Sequence, residues 1–120
     1  SMKDRDLKEV GIKKKLKDEA LDLAILASKC GLDGVVASGQ EIEFIRRAVG
    51  KNFLIVTPGV RPVWAAPATR ASAGRHDDQK RIVTPREAIE KGADFIVVGR
   101  PVTKHPNPRI AAKKILEEIS

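Results

Sequence analysis

The sequence predicts an α/β protein, a partial (β/α)8 barrel with three parallel strands and four helices. Three observations carry that expectation. Short apolar runs stand at Val35-Val36-Ala37, Phe53-Leu54-Ile55-Val56 and Phe95-Ile96-Val97-Val98. They are continuous rather than alternating, the pattern of parallel strands covered on both faces. Each is introduced by a glycine and, two residues on, an acid or amide: Gly31-Leu32-Asp33, Gly50-Lys51-Asn52 and Gly92-Ala93-Asp94. The glycine ends the preceding helix in a left-handed conformation, and the short polar residue turns the chain into the strand. After each run comes a helix-start signal.

Taken in order, an opening helix is expected near 15–30, with Leu16, Ala20, Leu23, Ala24 and Ala27 on one side. The run Lys13-Lys14-Lys15-Leu16-Lys17 before it reads as a solvated helix entrance or as a nucleic-acid patch. The first strand is placed near 34–38. Ser38-Gly39-Gln40-Glu41 is a capping box for a helix near 39–49, with Ile42, Ile45 and Val49 at helical spacing. A second strand near 53–57 follows. Thr84-Pro85-Arg86-Glu87 is a second capping box, with Pro at the first helical position of a helix near 85–91. The third strand falls near 95–99. Asn107-Pro108 caps a last helix near 108–119, where Ile110, Ala111, Ile115 and Ile119 form an apolar stripe.

Helix, then strand–helix three times, is a parallel pattern with right-handed crossovers. Three strands fall short of the roughly five of a doubly wound sheet and the eight of a closed barrel. At about 31 residues per barrel unit, 120 residues make nearly four units, the first without its strand. A chain that cannot close leaves Val35-Val36 and Ile96-Val97 on open sheet edges, so self-association is expected.

Composition narrows the function classes. Hydrophobic residues at 42% and charged residues at 32% exclude a disordered chain. No apolar run approaches the roughly 18 residues of a membrane span, and Ser1-Met2-Lys3-Asp4 does not begin a signal peptide. No membrane partner is expected. The single Cys30 excludes an internal disulfide framework and fits a reducing, cytoplasmic setting. A net charge of +7 points to anionic ligands. Aromatic residues are only 3%, with no Tyr, and no recognition helix is evident, so nucleic acid is not an expected partner.

One segment departs from the repeat. From Asn52 to Asp94 the repeat advances more than twice as far as from Asp33 to Asn52, and the excess lies within 62–84. A loop this long is uncommon unless functional or disordered. It follows the carboxyl end of a strand, where parallel α/β folds place their sites. Arg61, Arg70, Arg75, Lys80 and Arg81 put a basic rim around it, which reads as an anion-binding loop or as a basic, Ala-rich surface loop. The third strand ends in Gly99-Arg100-Pro101, with Gly99 suited to close approach of a ligand. An arginine there is a plausible phosphate ligand or a surface arginine paired to a nearby acid. Trp64 is either a loop anchor or a lid residue. His76 and His105 stand alone, without partners at metal-ligand spacing, and Asp77-Asp78 reads as a cation-binding pair or as acids in local salt bridges with the basic loop. No metal or organic cofactor is expected.

Four ordered stretches then carry a resemblance. They are Lys29-Cys30-Gly31-Leu32-Asp33-Gly34-Val35-Val36, Val56-Thr57-Pro58-Gly59-Val60-Arg61-Pro62, Asp78-Gln79-Lys80-Arg81-Ile82-Val83-Thr84-Pro85 and Val98-Gly99-Arg100-Pro101-Val102-Thr103. Together they resemble the carboxyl-terminal half of bacterial-type orotidine 5′-monophosphate decarboxylases. The resemblance implies half of a TIM barrel, in a single domain over 1–120, from an enzyme that converts orotidine 5′-monophosphate to UMP and CO2 without a cofactor. It implies substrate-binding roles for Arg61, Gln79, Gly99 and Arg100, with Gln79 and Arg100 on the 5′-phosphate beside the Gly99 backbone. Ser1-Met2 is similar to the end of the family's fifth strand, where Ser1 would touch the pyrimidine; a cloning remnant would leave the same dipeptide. The family's catalytic Asp-x-Lys-x-x-Asp pattern is absent from this sequence, and the stretch from Val63 to His76 is longer than the family commonly shows. The expected partners are therefore orotidine 5′-monophosphate, UMP or phosphate, together with a second copy or the missing amino-terminal half.

Overall fold

The computed structural model describes residues 3–65 and 83–120. Its strands β1 (Gly34–Val36), β2 (Leu54–Pro58) and β3 (Phe95–Val97) form one parallel sheet in the order β1-β2-β3. The register sets Val36 beside Val56 and Val56 beside Phe95. Around the strands run α1 (Asp4–Glu9), α2 (Leu16–Lys29), α3 (Ile42–Val49), α4 (Pro85–Glu90), α5 (Arg100–Thr103) and α6 (Pro108–Ile119).

The four expected helices are α2, α3, α4 and α6. The short α1 and α5 were not expected, because six and four residues are too few to display a helical period. Local chemistry explains α1. Leu7 is buried, Asp4 and Asp6 occupy its first turn, and Lys8 its last. The Asp4 carboxylate also accepts the Leu16 N–H at 2.8 Å, supplying α2 with a cap that its own N-cap, Lys15, lacks. The lysines of the basic run are exposed; Lys14 pairs with Asp22, and Lys17 lies 4.7 Å from the Phe44 ring centroid.

Gly31, Gly50 and Gly92 have φ of +80°, +79° and +104°, as the repeated glycine–acid/amide signal requires. The second capping box closes in both directions: Thr84 Oγ1 accepts the Glu87 N–H at 3.2 Å, and Glu87 accepts the Thr84 N–H at 2.9 Å. That backbone hydrogen bond, helped by the Thr84 hydroxyl, holds the Glu87 carboxyl below the usual carboxylate range. The first box differs from expectation. Glu41 accepts the Ser38 N–H at 3.0 Å, but this closes a turn before the helix, so α3 begins at Ile42 rather than near 39. Asn107 caps α6 by accepting the Ile110 N–H at 3.1 Å.

The two faces of the sheet differ sharply. Ile55, packed with Val35 and Ile96 beside it, meets Ile42, Ile45, Ala24 and Ala88 of the helices. On the other face Val36 is 72% exposed, Phe95 57%, Val97 51% and Leu54 41%. The expectation of strands covered on both faces is thus corrected to one covered face. The residues alternate in exposure along β2 although all but Thr57 are apolar, because their second face is built to be covered and here lies open.

Arg46 of α3 ties the amino ends of the strands together. Its guanidinium donates to the carbonyls of Gly92 (2.8 and 3.0 Å), Gly50 (2.6 Å) and Phe53 (2.6 Å). It also pairs with Asp94, which accepts the Ile55 N–H at 2.7 Å. A Cβ on Gly92 would stand 3.0 Å from Arg46 Cγ, so the glycine that ends α4 also makes room for this side chain.

A cationic cleft at the carboxyl ends of the strands

The opposite end of the sheet carries the sequence-predicted site. Arg61 leaves the end of β2 and Arg100 follows the end of β3. The two line one cleft of about 430 Å³ with Trp64, Ala65, Pro101, Lys104, His105 and Pro106. No carboxylate lines it among the described residues. Among the described residues, neither arginine nor Lys104 takes part in an ion pair there. Three fixed positive charges facing one space repel one another, and an anion placed between them relieves that repulsion.

Each charge is positioned by backbone. The Arg61 N–H donates to the Val83 carbonyl at 3.1 Å, so the long segment leaves and rejoins the sheet at one point. Val83 in turn packs on the glycine after β1; a Cβ on Gly39 would meet Val83 Cγ2 at 2.5 Å. Gly99 is the N-cap of α5, and a Cβ there would meet nothing within 4 Å. Arg100 opens α5 and is exposed.

Trp64 sits in a one-turn 3-10 helix (Val63–Ala65). Its ring meets His105 edge-on, with centroids 5.7 Å apart and planes at 85°, and Lys114 Nζ of α6 lies 5.7 Å from its centroid. His105 is held in turn, since its Nδ1 lies 3.0 Å from the Asn107 nitrogen. Lys104, His105 and Trp64 were not foreseen as neighbours of the arginines. Nothing in their spacing announces it: the turn between α5 and α6 folds back across the strand ends to reach them. Gln79 and Ser1 lie outside the described residues, as do Arg70, Arg75, His76, Asp77, Asp78, Lys80 and Arg81. No group of three or more His, Cys, Asp or Glu side chains suited to a metal ion occurs among the described residues.

The model of the orotidine 5′-phosphate decarboxylase / HUMPS family matches residues 1–115. The chain belongs to that family. It is 51% identical to the orotidine 5′-phosphate decarboxylase of Geotalea daltonii over 119 residues, covering 99% of this chain and 46% of the relative. Against the enzyme of Nitrosococcus oceani it is 46% identical, covering 100% of this chain and 48% of the relative. Among solved structures, the orotidine 5′-phosphate decarboxylase of Lactobacillus acidophilus superposes with a TM-score of 0.77 at 31% identity, covering 99% of this chain and 44% of that one. The decarboxylase of Pyrococcus horikoshii gives 0.63 at 28% identity, covering 91% and 45%. The chain thus spans slightly less than half the length of its decarboxylase relatives, and its three strands are part of a TIM barrel.

Proposed function

We propose that this chain supplies the phosphate-binding end of an orotidine 5′-phosphate decarboxylase, acting in pyrimidine biosynthesis in the cytoplasm. Its ligand is the 5′-phosphate of orotidine 5′-monophosphate or UMP. The observation that carries the reading is the meeting of Arg61 and Arg100, from separate strand ends, in one cleft with no carboxylate among its described lining residues. Arg100 grips the phosphate beside the Gly99 backbone, Arg61 faces it from the β2 side, and Gln79 of the long segment completes the grip. Such a grip is remote from the bond that breaks. Its binding energy serves to close and organise the reacting end, which in this family belongs to the other half of the barrel.

A charged hydrogen bond contributes about 1.5–3 kcal/mol, so Arg100→Ala is expected to weaken phosphate or UMP binding roughly 10- to 150-fold. A site built from half of a barrel is open to solvent and lacks the other half's contacts, so the wild-type affinity is expected on the order of millimolar. Titration followed by NMR checks both. Shifts centred on Gly99 and Arg100 that vanish in Arg100→Ala support the site. Shifts confined to the lysine run at 13–17 would show that overall charge alone attracts the anion.

A second reading is a self-associating half-barrel without useful ligand affinity. It is favoured by the open face of Val36, Leu54, Phe95 and Val97, and by an apolar groove of about 390 Å³ along β3 lined by Val98, Ile115, Leu116 and Ile119. Burying this surface against a second copy, or against the other half of the barrel, also covers the edges of β1 and β3. Light scattering at micromolar concentration is expected to show an oligomer. A compact monomer would contradict it.

A further inference from the structure

We propose that Trp64 is a positioning residue for this cleft, holding the Arg61 side opposite Arg100 through its contacts with His105 and Lys114. The inference rests on the phosphate-site reading above and extends it to residues that bear no charge on the ligand side. The β2 side of the cleft has one fixed point at Arg61, whose N–H is bonded to Val83. Beyond that bond the chain must be held against the α5–α6 side, or the two arginines part. Trp64 makes that connection. Pro62 is fully buried, and the turn that follows is closed by the Ala65 N–H on the Pro62 carbonyl at 3.0 Å, which presents the indole outward.

The indole, 41% exposed, is received by two groups from the far side of the cleft. One is the His105 imidazole, set at 85° to the indole and steadied by Asn107; the same Asn107 caps α6. The other is the Lys114 ammonium, two turns into α6, whose neighbours Ala111 and Ile115 are buried in the helix layer. The receiving wall is therefore rigid, and the contacts are of a kind that depends on a π face rather than on bulk. An apolar residue of similar size fills the space without making either contact. The chain's single Trp and lack of Tyr add a practical consequence: fluorescence excited at the indole reports on this wall alone.

The test uses the whole chain as wild type, Trp64→Leu, Trp64→Phe, His105→Ala and Arg100→Ala, titrated with UMP and with inorganic phosphate. The readouts are NMR shifts, including the Arg61 side-chain Nε–H, and wild-type tryptophan fluorescence. Loss of one edge contact and one cation–π contact should weaken UMP binding roughly 5- to 20-fold in Trp64→Leu. In that variant the Arg61 Nε–H shift is lost while the Arg100 shift remains. Trp64→Phe keeps a π face and is expected to stay within about threefold of wild type. Wild-type fluorescence should change and saturate with the same midpoint as the NMR shifts.

Should Trp64→Leu fail to fold, His105→Ala removes the receiving ring from the other side and is expected to show the same selective loss at Arg61. Wild-type binding with Trp64→Leu and His105→Ala unchanged overturns the positioning role and leaves the phosphate site standing. Absence of saturable binding in the wild type overturns both. Equal loss in Trp64→Leu and Trp64→Phe also overturns the proposal, because the contact would then not depend on a π face.

Discussion

Purified chain incubated with orotidine 5′-monophosphate is expected to return it unconverted. Breaking the bond to the carboxyl group leaves an electron pair on an sp² carbon of the pyrimidine, and nothing in water stabilises it. Enzymes lower such barriers by about 8–23 kcal/mol. Millimolar binding of the phosphate corresponds to only about −4 kcal/mol, and little of that is specific to the transition state. The rest must come from preorganised charges aimed at the reacting carbon. The Asp-x-Lys-x-x-Asp pattern that would supply them in this family is absent from the sequence. The cleft that is present carries Arg61, Arg100 and Lys104 instead. The measurement is loss of substrate absorbance, with Arg100→Ala as control. Conversion that disappears in that variant would refute the expectation, whereas conversion unchanged by it marks carried-over host enzyme. Adding a separately produced amino-terminal half is expected to restore turnover, since it brings the charges and covers the open sheet face together.

Arg46→Ala is expected to cost about 3 kcal/mol of stability and to lower the melting temperature by roughly 10 °C or more. The side chain is 16% exposed and its guanidinium serves three carbonyls and a carboxylate. Removing it leaves the part-buried Gly92 and Phe53 carbonyls without this donor, which costs more than the net worth of the bonds themselves. Asp94, at 31% side-chain exposure, can turn to water and softens the loss, which stays below the about 5 kcal/mol of a fully buried pair. Arg46→Lys keeps the charge but reaches fewer acceptors, and should fall between alanine and wild type. Thermal unfolding followed by circular dichroism settles it: a change under about 1 kcal/mol would mean that water replaces the guanidinium without penalty.

These two residues divide the molecule in a way that the sequence foreshadows unevenly. Arg100 was legible because it directly follows an apolar run in Gly99-Arg100-Pro101, so strand end and charge are read together. Arg46 was not. It lies on a helix among charged neighbours, and its acceptors at Gly50, Phe53, Gly92 and Asp94 are partly far along the chain. Only packing of α3 against the sheet brings them to it.

By itself the sequence determined what is local: the three left-handed glycines, the Thr84 box, the Asn107 cap and the parallel order of strands and helices. Each rests on bonds spanning four residues or fewer, or on a repeat that survives reading in one dimension. Tertiary structure alone decided which face of the sheet is open, and that Trp64, Lys104 and His105 join the two arginines. Those outcomes depend on where a helix falls after the chain has travelled tens of residues. Burial of apolar surface, which is non-directional and blind to sequence distance, makes that choice.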